Sequence, residues 1–214
     1  KAFEVVNPGF FTTVQDAGRH GYLRYGVPMS GAMDQFSFTV ANRLVGNADN
    51  EAALEITLIG PVLRVLAEAQ VAMTGGNVSP RINDQSAPMW QTLTVKEGDI
   101  ISFGKMQSGC RSYLSISGVI DVPVVLGSRS TYARGCFGGT AGRQLKAGGK
   151  IERFKTERLK DKYRLTEDTI PCFEDRIEVN VILGPQADMF TKRGIETFLS
   201  NRYTVTLESD RMGY

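Results

Sequence analysis

Two stretches of the chain gather side chains able to hold and polarise a small polar molecule. The first, residues 7–34, reads NPGFFTTVQDAGRHGYLRYGVPMSGAMD and sets Gln15, Asp16, Arg19, Ser30 and Asp34 among the glycines Gly9, Gly18, Gly21, Gly26 and Gly31. The second opens with G-S-R-S-T-Y at 127–132, presenting Ser128, Arg129, Ser130 and Tyr132. Gly135, Gly138, Gly139 and Gly142 follow, with Arg143 behind them. Arginine offers a bidentate fork for a carboxylate or phosphate, and amides around such glycines can cradle an anion. Gln15 can pair with an amide, and Asp16 or Asp34 can accept a proton if burial raises its pKa. Together such groups can orient a small amide or carboxylate and stabilise developing charge.

Other machinery is missing. The G-K-[ST] ending of a P-loop is absent, as is a G-x-S-x-G elbow. The sole histidine, His20, sits in a glycine context and reads as an exposed loop residue rather than a base. Cys110, Cys136 and Cys172 show no C-x-x-C spacing, and with one histidine they cannot make an ordinary tetrahedral zinc site, so no metal is expected. Reduced thiols in a cytoplasm are the simplest account of them. Read alone, residues 7–34 make a loop closed by an Asp16–Arg19 pair, and 127–132 a polar turn.

The surrounding pattern is rich in short strands. Phe3, Val5 and Val6 make an opening strand. Asp34 is a good N-cap for a helix over 35–45, with Gly46 placed to end it; capping and a ligand role for Asp34 are compatible. Leu54, Ile56 and Leu58 alternate with Glu55 and Thr57 as a half-buried strand would, leaving Glu55 toward solvent. Strands are predicted at 62–66 and 70–74, with a turn at Gly75–Gly76 and Trp90 in the core. A hairpin is predicted over 92–103 around Lys96–Asp99. The phrase VKEGDII of that hairpin returns as LKAGGKI at 145–151, a candidate internal repeat with Gly149 where the first copy has Asp99. Residues 111–117 alternate as another strand, and 122–126 form a short apolar run. Fourteen of the twenty-five residues from 152 to 176 are charged with mixed signs, which marks a boundary. Beyond it come a strand at 177–181, a helix over 191–199, a strand at 203–207 and the polar triplet Ser209-Asp210-Arg211. The sum is mostly β with minor α, a barrel or sandwich.

At 214 residues the chain can bury a real core, and 42% hydrophobic with 22% charged is ordinary for a globular protein. A net charge of +2 makes no case for nucleic acid or a polybasic membrane surface. No apolar run approaches the ~20 residues that span a bilayer.

The pattern G-x-x-T-T-V-Q-D-x-G-R-x-G followed by G-V-P-x-S-G-A-M-D resembles the opening of the allophanate hydrolase subunit 2 family. That family includes KipA-like proteins, the C subunit of bacterial 5-oxoprolinase, and the second half of the carboxyltransferase region of urea carboxylase. The likeness continues in order through GNADNEAALE (46–55), CRSYLSISGVIDVPVVLGSRSTY (110–132), GGTAGRQL (138–145), GPQADMF (184–190) and SDRMGY (209–214). It implies cyclophilin-like β-barrel domains, one over 1–170 and the start of a second from 175, the chain looking like part of a longer protein. It makes Glu55, in AALE, a candidate site carboxylate beside Asp16 and Asp34. It draws Gln15, Arg19, Ser30, Gly31, Arg111, Ser128, Arg129, Ser130, Tyr132, Gly138, Gly139 and Arg143 together as candidate substrate-binding residues.

The reading chosen from the resemblance is a 5-oxoprolinase component of the C-subunit type, opening a cyclic amide at the expense of ATP. It would act with a lactam-opening subunit and a companion resembling allophanate hydrolase subunit 1 (KipI-like), ATP belonging to the complex. The alternatives are a biotin-dependent carboxyltransferase component of a urea carboxylase or urea amidolyase, and a non-catalytic KipA-like regulator of a KipI-like kinase inhibitor.

Overall fold

The computed structural model describes residues 1–154, 159–174 and 176–204. The chain separates into two compact units, Lys1–Asp175 and Arg176–Tyr214. Within the first, the strands are β1 (Phe3–Asn7), β2 (Phe11–Gln15), β3 (Ala53–Thr57), β4 (Val62–Val65), β5 (Ala69–Gly75), β6 (Arg81–Ile82) and β7 (Gln85–Ser86). They continue with β8 (Thr92–Val95), β9 (Ile100–Ser102), β10 (Arg111–Ile116), β11 (Val119–Ile120), β12 (Lys150–Ile151) and β13 (Arg153–Phe154). One α-helix, α1 (Gln35–Leu44), lies between β2 and β3, after a short 3-10 turn at Leu23–Tyr25.

The protein is therefore mostly β with minor α. Its ladders form a six-stranded sheet of order β12-β1-β4-β9-β6-β7, a five-stranded sheet of order β2-β3-β10-β5-β8, and a β11–β13 pair. Among the described residues these sheets do not close into a ring. At the β2 edge the chain supplies irregular backbone instead of a further strand: Thr131 N donates to Val14 O and Leu145 N to Thr12 O, both at 2.9 Å. That covers an edge which would otherwise present unpaired donors and acceptors.

The two large sheets bury a common core that includes Phe3, Val5, Leu63 and Ile101 from one and Leu54, Ile56, Val71, Met73, Leu114 and Ile116 from the other. The opposite face of the five-stranded sheet is covered by α1, where Phe38 and Ala41 meet Ala53 and Tyr113. Burying a side chain such as Phe38 in this layer stabilises the fold by ~1.5–3 kcal/mol. Two-sided cover explains why β3 and β5 are buried at every position. It also overturns the outward reading of Glu55, which is 2% exposed although its neighbours alternate as in a half-buried strand.

The helix forms where its signals put it. Asp34 Oδ1 accepts from Ser37 N at 3.0 Å, and Gly46 follows the last turn at φ +75°. The hairpin expected over 92–103 does not form. β8 pairs with β5, while β9 pairs with β4 and β6, so the Lys96–Asp99 turn carries the chain from one sheet to the other.

The repeated phrases do match in space. Gly98 N donates to Val65 O at 2.9 Å and Val65 N to Asp99 O at 2.8 Å. Gly148 N likewise donates to Val5 O, and Val5 N to Gly149 O, both at 2.8 Å. β9 after the first phrase pairs with β4, β12 after the second pairs with β1, and β1 pairs antiparallel with β4. The two phrases are thus related by an approximate two-fold through the β1–β4 pair. Asp99 adds a bond the second copy lacks, accepting from Lys96 N at 2.7 Å.

In the second unit, α2 (Lys192–Ser200) is capped by Thr191, whose side chain accepts from Gly194 N. The strand expected at 177–181 is absent: Ile177, Val179 and Val181 are exposed, and no strand pairs with them among the described residues. The expected strand at 203–207 lies partly, and the triplet Ser209-Asp210-Arg211 wholly, outside the described residues. No described helix is long and apolar enough to cross a membrane.

Candidate functional site

β2 delivers Gln15 and Asp16 to the rim of the five-stranded sheet, against the turn that carries Ser128–Ser130. Asp16 is 7% exposed, and its carboxylate takes four donors. Oδ1 accepts from Gly18 N at 2.8 Å, Ser128 Oγ at 2.7 Å and Ser130 Oγ at 2.5 Å, and Oδ2 accepts from Arg129 N at 2.5 Å. Asp16 N donates in return to Ser130 Oγ at 2.9 Å. The carboxylate expected as a proton acceptor therefore has its acceptor capacity spent on joining two segments more than a hundred residues apart.

Arg19, 1% exposed, reaches across the same junction. Its Nε donates to Val125 O at 3.1 Å and Nη2 to Ser130 O at 2.9 Å, and its guanidinium lies 4.8 Å from the centroid of Phe137. Burial pulls its pKa below the ordinary value, with attraction to Asp16 opposing. The expected Asp16–Arg19 pair is thus indirect, mediated by the Ser128–Ser130 turn. Gln15 spends its amide similarly: Nε2 donates to Thr13 Oγ1 and Thr131 O, and Oε1 accepts from Gly31 N at 3.1 Å.

Four successive amides then pin the end of the glycine-rich segment. Gly31 N goes to Gln15 Oε1 and Ala32 N to Asp16 O, Met33 N to Glu55 Oε2 and Asp34 N to the Tyr113 hydroxyl, the last three at 2.8 Å. The Tyr113 hydroxyl donates in turn to Glu55 Oε2 at 2.8 Å, and Glu55 Oε1 lies 3.9 Å from Arg111 Nε. Burial, then the Glu55 charge, pushes the Tyr113 phenol far above its usual pKa. Gly31 and Gly18 lie backbone to backbone, since a Cβ on Gly31 would stand 2.8 Å from Gly18 Cα. Ser30, half-buried, adopts the left-handed region at φ +54°.

The structure brings most of the expected residues into these two linked clusters. Gly139 N donates to Arg129 O at 2.9 Å, and Gly138 passes so close that a Cβ would stand 2.0 Å from Ser130 O. Tyr132 packs edge-on against Phe137 with ring centroids 5.4 Å apart. Arg143 remains separate, its Nη1 reaching only Gln144 O at 3.3 Å.

Sequence reasoning passed over Glu51, Tyr113 and Phe137. Glu51 Oε2 lies 3.7 Å from Arg129 Nη1, and both side chains are partly buried. It opens the EAALE phrase whose second glutamate drew attention, so the segment was legible but the residue was not. Tyr113 reads as an ordinary strand aromatic, and only the position of α1 makes its hydroxyl a hub. Four buried polar atoms have no hydrogen-bond partner among the described residues: Arg19 Nη1, Arg111 Nε, Arg129 Nε and Glu51 Oε2. Spare capacity in this region thus belongs to three guanidiniums and one carboxylate, while Asp16, Gln15 and Asp34 are engaged within the protein.

The family model of the carboxyltransferase domain, subdomain A and B, matches residues 25–214. The chain belongs to this family. It is 40% identical over 225 residues to urea amidolyase of Lachancea kluyveri, covering 99% of this chain and 12% of that protein. It is 34% identical over 211 residues to the C subunit of 5-oxoprolinase from Escherichia coli, covering 99% of this chain and 67% of that protein. Among solved structures, the crystal structure of the K. lactis urea amidolyase superposes with a TM-score of 0.86 at 41% identity, over 98% of this chain and 13% of that one. The family membership agrees with the resemblance carried by the motifs, and the chain spans only about an eighth of the urea amidolyases it matches.

Proposed function

We propose that this chain forms the amide-binding part of a carboxyltransferase-type enzyme, acting on a small amide together with a companion half resembling allophanate hydrolase subunit 1. Carboxyl transfer to a urea-like amide is the leading reading. The observation that carries it is the 40–41% identity to urea amidolyases across nearly the whole chain. The 5-oxoprolinase C-subunit type remains the second reading, favoured by the two-thirds coverage of that protein.

The geometry fits either substrate. Arg129 Nη1 and Glu51 Oε2 face each other at 3.7 Å, too far apart for a direct hydrogen bond, and both side chains are partly exposed, so a donor and an acceptor stand side by side. A donor next to an acceptor complements the C=O and N–H of an amide edge. Arg129 would take the carbonyl oxygen and favour charge developing there, and Glu51 would accept from the nitrogen. Asp16 and Gln15 hold the backbone that presents Arg129. Where biotin is the carboxyl donor, it supplies the carboxyl group. The partly exposed Arg129 guanidinium suits the oxygens such a group brings, while the buried Arg19 braces the turn that carries it. In the second reading ATP belongs to the complex, shared between this chain and its partner subunit. Exposed free thiols at Cys110, Cys136 and Cys172 favour a reducing compartment such as the cytoplasm.

The test is reconstitution with a companion half and with the remaining components of each system. Urea-dependent carboxylation supports the leading reading, and 5-oxoproline-dependent ATP turnover supports the second. Neither activity in a complex shown to assemble would end the proposal.

A further inference from the structure

A groove of about 710 Å³ opens on the Lys1–Asp175 unit, and none of the expected site residues lines it. That volume falls within the ~300–1,000 Å³ typical of small-ligand sites. Trp90 lies in its lining, 6% exposed, with its ring steadied by Phe36 at a centroid distance of 6.4 Å. The Trp90 backbone sits in the left-handed region at φ +62°, an outlier for so bulky a residue, worth ~1–3 kcal/mol of strain. Hydrogen bonds hold it there from both sides: Trp90 N donates to Met73 O at 2.7 Å and Leu165 N to Trp90 O at 2.8 Å. Ser79, also in the lining, is left-handed at φ +47°.

The polar groups of the lining are neutral apart from one cation. Arg81 is its only charged side chain; it is exposed and takes part in none of the ion pairs among the described residues. Ser79, Ser86 and Ser108 add hydroxyls, and Phe173 completes an apolar wall by packing over Gly109. A flat apolar body has the half-buried Phe173 to lie against, with the small exposed part of Trp90 beside it. An anionic substituent has the Arg81 fork and neighbouring hydroxyls to receive it. We propose that this groove binds a small organic anion with a flat apolar body, the anionic group held by Arg81 and the body by Trp90 and Phe173. The ligand class is set by the lining alone and does not depend on the reaction assigned above.

Trp90 is the only tryptophan in the chain, so its emission reports on the groove directly. The probe is anilinonaphthalene sulfonate, with uncharged phenylnaphthylamine as the matched neutral body, each titrated into the full 214-residue chain. Both should lower Trp90 emission saturably. Arg81→Gln should weaken the sulfonate by roughly tenfold while leaving the neutral probe within about twofold, as expected for loss of a charge-assisted contact. Ser86→Tyr, at an exposed position in the lining, should abolish binding of both. The proposal is overturned if neither probe quenches Trp90, if Arg81→Gln leaves the sulfonate unchanged, or if both probes bind Ser86→Tyr as they bind the parent chain.

Discussion

Asp16 and Arg129 meet at one 2.5 Å bond, yet their parts in the molecule differ. Asp16 is a carboxylate surrounded by donors from its own chain, so its loss is a folding defect. Asp16→Asn would turn an NH2 toward a bound donor and leave at least one buried group unsatisfied, costing ~1–3 kcal/mol. Arg129 is different because its side chain keeps 28% of its exposure and ends on a loose 3.7 Å contact with Glu51. Its removal should cost only ~0–1 kcal/mol of stability. Thermal melts and steady-state assays of the reconstituted complex separate the two. Asp16→Asn should lose melting temperature and activity together, and Arg129→Ala activity alone. Arg129→Lys should rescue poorly, because lysine keeps the charge but lacks the planar fork. Full activity in Arg129→Ala would remove that residue from the site.

The glycine-rich segments act as folded connections whose conformations only certain residues accept. Gly18, Gly21, Gly31, Gly138 and Gly139 all have positive φ, from +50° to +104°. They are not equivalent. A Cβ on Gly138 would stand 2.0 Å from Ser130 O, whereas one on Gly21 meets nothing within 4 Å. Gly21→Ala should therefore cost only the ~1 kcal/mol of left-handed strain. Gly138→Ala should cost several-fold more, because backbone must move as well. Equal melting temperatures for the two variants would contradict the close packing of the 138–142 loop on the Ser130 turn.

The joint between α1, β3 and β10 can be read by pH. The Tyr113 phenol is pushed up by burial and by Glu55, so it stays protonated in the folded state where the unfolded chain ionises. Its contribution is complete below the unfolded pKa of about 10. It is lost as pH rises beyond that, at up to ~1.4 kcal/mol per pH unit. Urea unfolding of the parent and Tyr113→Phe, between about pH 8 and pH 11, should show a constant stability gap at first and a shrinking one above about pH 10. A gap that stays flat to the end of the range would place the phenol in a less buried state than the structure has it.

At the scale of the whole molecule, the proposed function makes the chain one part of a larger catalytic assembly. Among the described residues, the buried side-chain atoms without a hydrogen-bond partner are three arginine nitrogens and one glutamate oxygen. The chain spans 12% of a urea amidolyase. The purified chain should accordingly show no ATP hydrolysis dependent on urea or on 5-oxoproline, measured as phosphate release against a reconstituted control. Turnover by the chain with no added protein would refute that dependence.

Local features are legible in the order of residues alone. The Asp34 cap, the α1 stop at Gly46 and the positive-φ glycines rest on interactions within a few residues, so their signals lie together in the chain. The repeated Lys96–Asp99 and Lys146–Gly149 turns are visible for the same reason. What escaped depends on contacts between distant segments. Glu55 alternates like a solvent-facing residue, and only α1 lying across the sheet buries it against Tyr113. Strands β8 and β9 look like a hairpin, but each finds a better partner in a different sheet. The acid suggested by Asp16 becomes a brace because Ser128, Arg129 and Ser130, more than a hundred positions away, fill its lone pairs. The chain's residue types named the groups available for chemistry. Long-range hydrogen bonding determined which of them kept capacity to spare.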